Sequence, residues 1–287
     1  MQTSRQNVIS YCGHLGYLDA MRYRFTSLAV IMGLSSGPAL AEIPSNVVSG
    51  EVLPGWQMKN GHHMAGLSLT LAPQWKTYWR APGQAGIPPL FDWSDSQNVA
   101  SVRVHWPSPV VFHTNGLQTV GYHDGVVLPL EVVPRDARKP VHLRARVDMG
   151  VCKDVCMPFV LDVAADLAAP GAPDGRIKAA LKAQPSSGAE AGLTAMSCVV
   201  DPIEDGVRIT ATMALPKRGG EETVVFEASD PSIWISEAET SRKGGKLISV
   251  TEMVADSGQP FALDRSGVKV SVLGAGKSVE ISGCPAP

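Results

Sequence analysis

The chain has 287 residues, of which 44% are hydrophobic and 18% are charged, and its formal net charge at pH 7 is −2. This length suffices for one or two globular domains with ample core. The sequence has no basic patch, which argues against a nucleic-acid-binding protein. It also has no run of 18 or more apolar residues, so we expect no membrane-spanning helix.

Residues 1–41 are not expected to belong to the mature protein. A short basic region at Met21–Arg24 precedes an apolar stretch, Phe25–Gly33, and small residues lead to Ala41. This order is typical of a secretory signal peptide. We predict a signal peptide that starts at Met21 and is cleaved after Ala41, with export to the periplasm. The first twenty residues, including Cys12, are then an over-long gene start; the alternative is a genuine cytosolic extension.

Residues 42–168 predict an all-β domain, because short apolar and β-branched stretches alternate with turns rich in Pro and Gly. Many short strands at such spacing are typical of a sandwich or a barrel. The candidate strands are Val47–Leu53, Met64–Leu71, Thr77–Arg80, Leu90–Trp93, Val99–Trp106, Val126–Val133, Val141–Val147 and Phe159–Ala165.

Residues 169–194 predict a linker that carries one short helix. The breaker Ala169–Pro173 opens it, and Asp174–Ala183 has the Asp start and the Ile177/Leu181 spacing of a helix. Pro185–Ala191 is loop-like in composition.

Residues 195–287 predict a second, smaller β-sandwich. Cys198 lies in its first strand and Cys284 just after its last, so a bond between them would close nearly the whole domain into one loop. Such a bond has a large effect on stability in the chain-entropy model, and we interpret the pair as a structural disulfide. The alternative is two buried or frayed thiols. The candidate strands are Ala195–Val200, Val207–Leu215, Thr223–Glu227, Ile233–Ser236, Lys246–Val254, Val268–Leu273 and Ser278–Ile281.

The motif around which the first domain is organised is Cys152-Lys153-Asp154-Val155-Cys156, followed by Pro158. Strand-like sequence flanks it, so both cysteines should lie on the turn or first rungs of a hairpin, within reach of a disulfide. A five-residue loop contributes only about 2 kcal/mol in the chain-entropy model. We therefore favour a redox dithiol over a metal site or an inert staple.

Several motifs in the same order along residues 45–165 resemble one known family. The domain resembles the periplasmic N-terminal domain of the thiol:disulfide interchange protein DsbD, and more closely that of ScsB, the suppressor-of-copper-sensitivity protein. The motifs are Tyr78–Gly83, Gly86–Trp93, Trp106-Pro107, Gly121-Tyr122, Leu128-Pro129 and the Cys152/Cys156 segment with Pro158.

The resemblance implies an immunoglobulin-like sandwich that carries a redox pair. It also implies that electrons arrive from a membrane-embedded thiol carrier, of the DsbD, CcdA or ScsB kind, and pass to thioredoxin-like periplasmic proteins. No cofactor is implied. By analogy with the second cysteine of the family, we expect Cys156 to attack.

Three departures from the family qualify this expectation. The two cysteines of DsbD are spaced further apart, and this chain has neither a transmembrane block nor a thioredoxin-like C-x-x-C domain, so we expect a separate electron donor. The stretch Phe112–Gln118, which corresponds in order to the family's cap loop, has no carboxylate. Phe112 or Leu117 are candidates for an apolar shield, and Tyr78 and Tyr122 are candidates for lining the site.

The sequence therefore predicts one component of a protein-disulfide reductase-type thiol oxidoreductase, with Cys152 and Cys156 as the working pair. Two alternatives stay open: a copper-binding or copper-delivery protein, since thiolate and thioether ligands suit Cu(I), and a β-sandwich binding module without redox activity. The additional copper ligands considered are His62, His63, Met64, His105, His113, Met149 and Met157.

Overall fold

The structure is a computed structural model that describes residues 47–114, 116–259 and 261–287. The predicted signal peptide and the first residues of the first domain lie outside this range. The fold is all-β apart from one short helix, as predicted. The strands before that helix are β1 (Val48–Gln57), β2 (His63–Leu71), β3 (Lys76–Tyr78), β4 (Leu90–Asp92), β5 (Val99–Val104), β6 (Val110–Thr114), β7 (Leu117–His123), β8 (Gly125–Pro134), β9 (Val141–Cys152) and β10 (Cys156–Leu167).

These strands form an immunoglobulin-like sandwich of two antiparallel sheets. One sheet has the order β1-β2-β8-β5, and the other has the order β10-β9-β3-β7-β6, with β4 also paired to β9. Apolar side chains of both sheets form one core between them, with Leu67 and Leu130 from the first sheet and Leu143 and Val147 from the second. Burial of this apolar surface is the main term that stabilises the sandwich.

Strand β9 shows how the sequence sets the two faces of the second sheet. Its alternate residues from Val141 to Val151 are buried in the core, while His142, Arg144 and Arg146 lie on the opposite face. Successive strand residues point to opposite faces, so this alternation fixes the register. Cys152 follows Val151 and therefore lies on the outer face of the sheet.

One helix, α1 (Gly175–Lys182), follows the first sandwich. The Asp174 carboxylate accepts a hydrogen bond from the Arg176 backbone N–H at 2.7 Å, which caps the helix N-terminus. Ile177 is fully buried against Leu53 and Met64. The predicted helix is confirmed to within one residue at each end.

A second sandwich follows the helix. Its sheets have the orders β11-β19-β18-β14 and β12-β13-β17-β15, with β16 paired to β17. They enclose a separate apolar core that includes Ile209, Met213 and Val270. The strands are β11 (Ser186–Ser187), β12 (Ala195–Ile203), β13 (Gly206–Ala214), β14 (Thr223–Glu227), β15 (Trp234–Ile235), β16 (Glu239–Lys243), β17 (Lys246–Val254), β18 (Lys269–Gly274) and β19 (Lys277–Ser282).

The sequence patterns missed strands in both sandwiches. The stretch that we expected to be a cap loop belongs to the β6–β7 hairpin, whose turn includes Gly116 with φ of 78°. Strand β16 has the sequence ETSRK and is half exposed along its length, so no apolar alternation marks it. Among the described residues, no helix is long and apolar enough to cross a membrane.

Cys198 and Cys284 are joined in the second sandwich, with Cα atoms 5.5 Å apart and both residues buried. The Arg265 guanidinium donates hydrogen bonds to the carbonyl oxygens of both cysteines, at 2.9 and 3.1 Å. The bond spans 86 positions. The bridge therefore ties the first strand of this sandwich to the chain just after its last strand.

We predict that Cys284→Ser lowers the free energy of unfolding by about 2–5 kcal/mol, because the unfolded chain loses a long-loop constraint. Urea denaturation followed by far-ultraviolet circular dichroism measures this. The matched control is Cys156→Ser, which opens a short loop and should cost about 2 kcal/mol or less. Equal losses in the two variants would contradict a structural role for the long-range bond.

Candidate functional site

The Cys152/Cys156 segment is the tip of the β9–β10 hairpin. Strand β9 ends at Cys152 and β10 begins at Cys156, and the two residues face each other in the ladder. They are joined by a disulfide with Cα atoms 4.2 Å apart, slightly closer than the usual range. The predicted hairpin location is confirmed. The antiparallel pairing itself brings the sulfur atoms within bonding reach.

The two cysteines differ sharply in exposure. Cys152 is 1% exposed although it lies on the outer face of its sheet, whereas Cys156 is exposed. In the turn between them, the Val155 side chain is 70% exposed. A protein that approaches the hairpin tip therefore meets Cys156 first, and Cys152 lies behind it.

Tyr78 accounts for much of the burial of Cys152. It is the last residue of β3, the neighbour of β9, and its hydroxyl oxygen lies 2.8 Å from Cys152 Sγ and 3.0 Å from Cys156 Sγ. The side chain is almost completely buried, and this burial raises the pKa of Tyr78 above its ordinary value. The hydroxyl therefore keeps its proton at neutral pH. It can donate a hydrogen bond to a thiolate at either cysteine, which stabilises the charged form.

Residues 82–89, which we call the cover segment, cross over Tyr78 and the end of β9. A Cβ atom added at Gly150 would lie 2.7 Å from Ile87 Cβ and 3.0 Å from the Tyr78 ring. One added at Gly86 would lie 2.9 Å from the same ring. Glycine at these two positions allows the cover segment to pack directly on Tyr78, which restricts access to Cys152.

Lys76 contributes a positive charge to the same face of the sheet. It pairs with Cys152 across β3 and β9, and paired residues project to the same side. Its ammonium group donates to Thr119 Oγ1 at 3.2 Å and lies 4.9 Å from the centre of the Phe112 ring. Burial lowers the pKa of Lys76 from its ordinary value. Thr119 lies on β7 and Phe112 on β6, so these contacts direct the ammonium group away from β9 and its cysteine. Lys153, which follows Cys152 in the turn, is exposed.

The four predicted lining residues occupy different positions. Tyr78 contacts both sulfur atoms, and Phe112 lies beneath the Lys76 ammonium group on the outer face. Leu117 opens β7 and is 54% exposed. Tyr122 is buried, and its hydroxyl donates to the Pro107 carbonyl at 2.8 Å, so it contributes no polar group to the sulfur atoms.

Three of the residues considered as copper ligands, His62, His105 and Met149, have other surroundings. His62 Nδ1 and His105 Nε2 lie 2.7 and 3.1 Å from the two oxygens of the Glu131 carboxylate. These contacts, His62 first, lower the pKa of Glu131. Met149 is buried in the core, facing away from Cys152. Within the described part of the chain, no group of three or more His, Cys, Asp or Glu side chains is arranged so that it could hold a metal ion.

Comparison with known families gives a match for the first sandwich. Residues 49–167 match the family described as "Thiol:disulfide interchange protein DsbD, N-terminal". Residues 49–167 belong to the family of DsbD N-terminal domains. The predicted resemblance, placed at residues 45–165, is confirmed over almost the same range.

The fold similarity extends to both sandwiches. The crystal structure of the N-terminal periplasmic domain of ScsB from Proteus mirabilis superposes with a TM-score of 0.61 at 24% sequence identity. The match covers 83% of this chain and 92% of that one, which is far more than the DsbD N-terminal domain alone. No curated protein matches the chain in sequence.

In this domain, a tyrosine hydroxyl lies beside the cysteines, and the β6–β7 hairpin has no carboxylate between Phe112 and Gln118. The polar side chain that contacts the sulfur atoms is therefore a neutral hydrogen-bond donor. A hydrogen bond from this donor favours the thiolate over the thiol.

We predict that Tyr78→Phe raises the pKa of the Cys156 thiol by about one to two units, since a hydrogen bond to a charged acceptor contributes roughly 1.5–3 kcal/mol. The measurement is thiolate ultraviolet absorbance against pH, made in a Cys152→Ser background. Tyr122→Phe is the matched control, because it removes a buried hydroxyl that does not contact sulfur. An unchanged pKa in Tyr78→Phe, or an equal shift in both variants, would contradict the assignment.

Proposed function

We propose that this chain is a periplasmic thiol:disulfide interchange protein. Its Cys152/Cys156 dithiol relays electrons from a membrane-embedded thiol carrier to thioredoxin-like partners. The observation that carries the proposal is the asymmetric pair: one exposed and one buried cysteine, directly opposite each other, both within hydrogen-bond distance of the Tyr78 hydroxyl. Membership of residues 49–167 in the DsbD N-terminal family supports it. The periplasmic location of the similar ScsB domain supports the proposed compartment.

In the first step, the Cys156 thiolate attacks one sulfur of a partner's disulfide. A bond forms between Cys156 Sγ and that sulfur, and the partner's other sulfur leaves as a thiolate that takes up a proton. Exposure of Cys156 at the hairpin tip makes in-line approach possible. The Tyr78 hydroxyl, which lies 3.0 Å from Cys156 Sγ, favours the attacking thiolate before the step.

In the second step, Cys152 resolves the mixed disulfide. Its thiolate attacks Cys156 Sγ, the Cys152–Cys156 bond forms, and the partner's attacked sulfur leaves as a thiolate. Two electrons and two protons have then passed to the partner. The ladder keeps Cys152 opposite Cys156, so this step needs no rearrangement of the strands. The membrane carrier reverses the exchange and restores the dithiol.

The test is the trapping of a mixed disulfide with each single-cysteine variant. The probe is a thioredoxin-fold protein whose one active-site cysteine carries glutathione. Cys152→Ser leaves Cys156 free and should form the interprotein disulfide at least about tenfold faster than Cys156→Ser, in which the remaining thiol is buried.

Non-reducing electrophoresis with peptide mapping identifies the cysteine in the trapped product. Cys198→Ser, which frees Cys284 in the second sandwich, is the control for nonspecific exchange. Failure of both Cys152→Ser and Cys156→Ser to trap the probe would overturn the proposed exchange. Equal rates would overturn the assignment of Cys156 as the attacking residue.

A further inference from the structure

The chain that leads from Tyr78, at the Cys152/Cys156 site, into the cover segment is hydrogen-bonded to β7. The Trp79 backbone N–H donates to the Val120 carbonyl, and the Val120 N–H donates to the Pro82 carbonyl, both at 3.0 Å. The position of Tyr78 against the sulfur atoms therefore depends on how this pair of segments is held.

The second sandwich binds both segments. Arg80, two residues after Tyr78, donates to both carboxylate oxygens of Glu227 at 2.8 Å and to Glu280 at 2.6 Å. On β7, the Gln118 side-chain oxygen accepts a hydrogen bond from the Thr223 hydroxyl at 3.3 Å. We call Arg80, Glu227 and Glu280 the interdomain triad.

Apolar contacts lie beside the interdomain triad. Trp79 is fully buried and forms one cluster with Val120 and with Leu273 of β18. The Arg80 guanidinium lies 4.2 Å from the Trp79 ring centre. The chain that emerges from Tyr78 is thus held by an apolar contact at one residue and by an ion pair at the next.

The interdomain triad is largely withdrawn from water, since the Arg80 side chain is 18% exposed and that of Glu227 is 20% exposed. Burial opposes the charge on Arg80, but the hydrogen bonds and charges of Glu227 and Glu280 outweigh it and raise the Arg80 pKa. A planar guanidinium that binds a carboxylate through two parallel bonds also fixes orientation. Removal of Arg80 leaves the partly buried Glu227 carboxylate without its guanidinium partner, and removal of the Glu227 charge takes the two-bond contact from Arg80. The arrangement should therefore loosen when either sandwich loses its member.

We propose that the second sandwich acts as a brace for the redox site, and that Arg80 is the positioning residue through which it holds Tyr78 and the cover segment against Cys152. The biological meaning of this brace rests on the proposed function. The two structural effects of the brace are the shielding of Cys152 and the placement of the Tyr78 hydroxyl. Both can be measured without a redox partner.

The experiment uses the full chain in a Cys156→Ser background, where Cys152 is a thiol. The rate of iodoacetamide alkylation is followed across pH on the Cys152 peptide by mass spectrometry. Glu227→Gln, which alters the second sandwich alone, should raise the limiting rate at high pH about fivefold or more. It should also move the midpoint of the pH profile upward, because the Tyr78 hydroxyl is less well held.

Arg80→Gln should reproduce both changes, and Arg80→Lys, which keeps the charge but not the paired geometry, should give an intermediate result. The matched control is Arg208→Gln, which removes the exposed ion pair with Glu252 within the second sandwich. Near-ultraviolet circular dichroism checks that every variant is folded.

The proposed brace is overturned if Glu227→Gln and Arg80→Gln are folded and show the same limiting alkylation rate and the same pH midpoint at Cys152 as Arg208→Gln. This result would leave the proposed exchange untouched, since trapping through Cys156 is a separate measurement. Conversely, the predicted changes in alkylation rate and midpoint could be found in a protein that never traps a partner. That outcome would overturn the proposed exchange and support the brace.

Discussion

The site depends above all on the antiparallel pairing of β9 with β10. Because the two strands face each other residue for residue down to Cys152 and Cys156, the backbone holds the sulfur atoms within bonding reach. The ladder continues away from the pair as far as Val141 and Leu167, so the strands remain paired whether the one bond at the tip is oxidised or reduced. A disulfide across so short a loop also adds little to stability, so it can be reduced and reformed without unfolding the domain.

The residues around the cysteine pair determine which cysteine a partner protein can reach and whether the thiol or the thiolate is favoured. Tyr78 lies against the buried Cys152, while Cys156 is exposed. The uncharged hydroxyl of Tyr78 can stabilise negative charge on either sulfur atom. The polar side chain that contacts the sulfur atoms is therefore Tyr78 of β3. From the end of β3 the chain runs directly to Arg80 and the contacts with the second sandwich.

The sequence predicted the local features and the pairing of Cys198 with Cys284, but its local patterns did not reveal the long-range contacts of the site. Alternation along Val141–Val147 and the Asp start at Asp174 report on neighbours within a few positions, so the hairpin and the helix were placed correctly. The contact of Tyr78 with Cys152 spans 74 positions, and that of Arg80 with Glu227 spans 147. Such contacts depend on strand order and on domain packing, which no local periodicity encodes. Tyr78 was found only through family resemblance, and the pairing of Arg80 with Glu227 was not found at all.

The central claim is that Cys152–Cys156 is a working couple, and its reduction potential tests this most directly. Native protein is equilibrated with glutathione or dithiothreitol redox buffers, and the fraction of each cysteine pair reduced is measured by alkylation and mass spectrometry. The account predicts a potential of about −180 to −270 mV for Cys152–Cys156, while Cys198–Cys284 stays oxidised across that range. A potential below about −300 mV for Cys152–Cys156, typical of structural disulfides in secreted proteins, would contradict it.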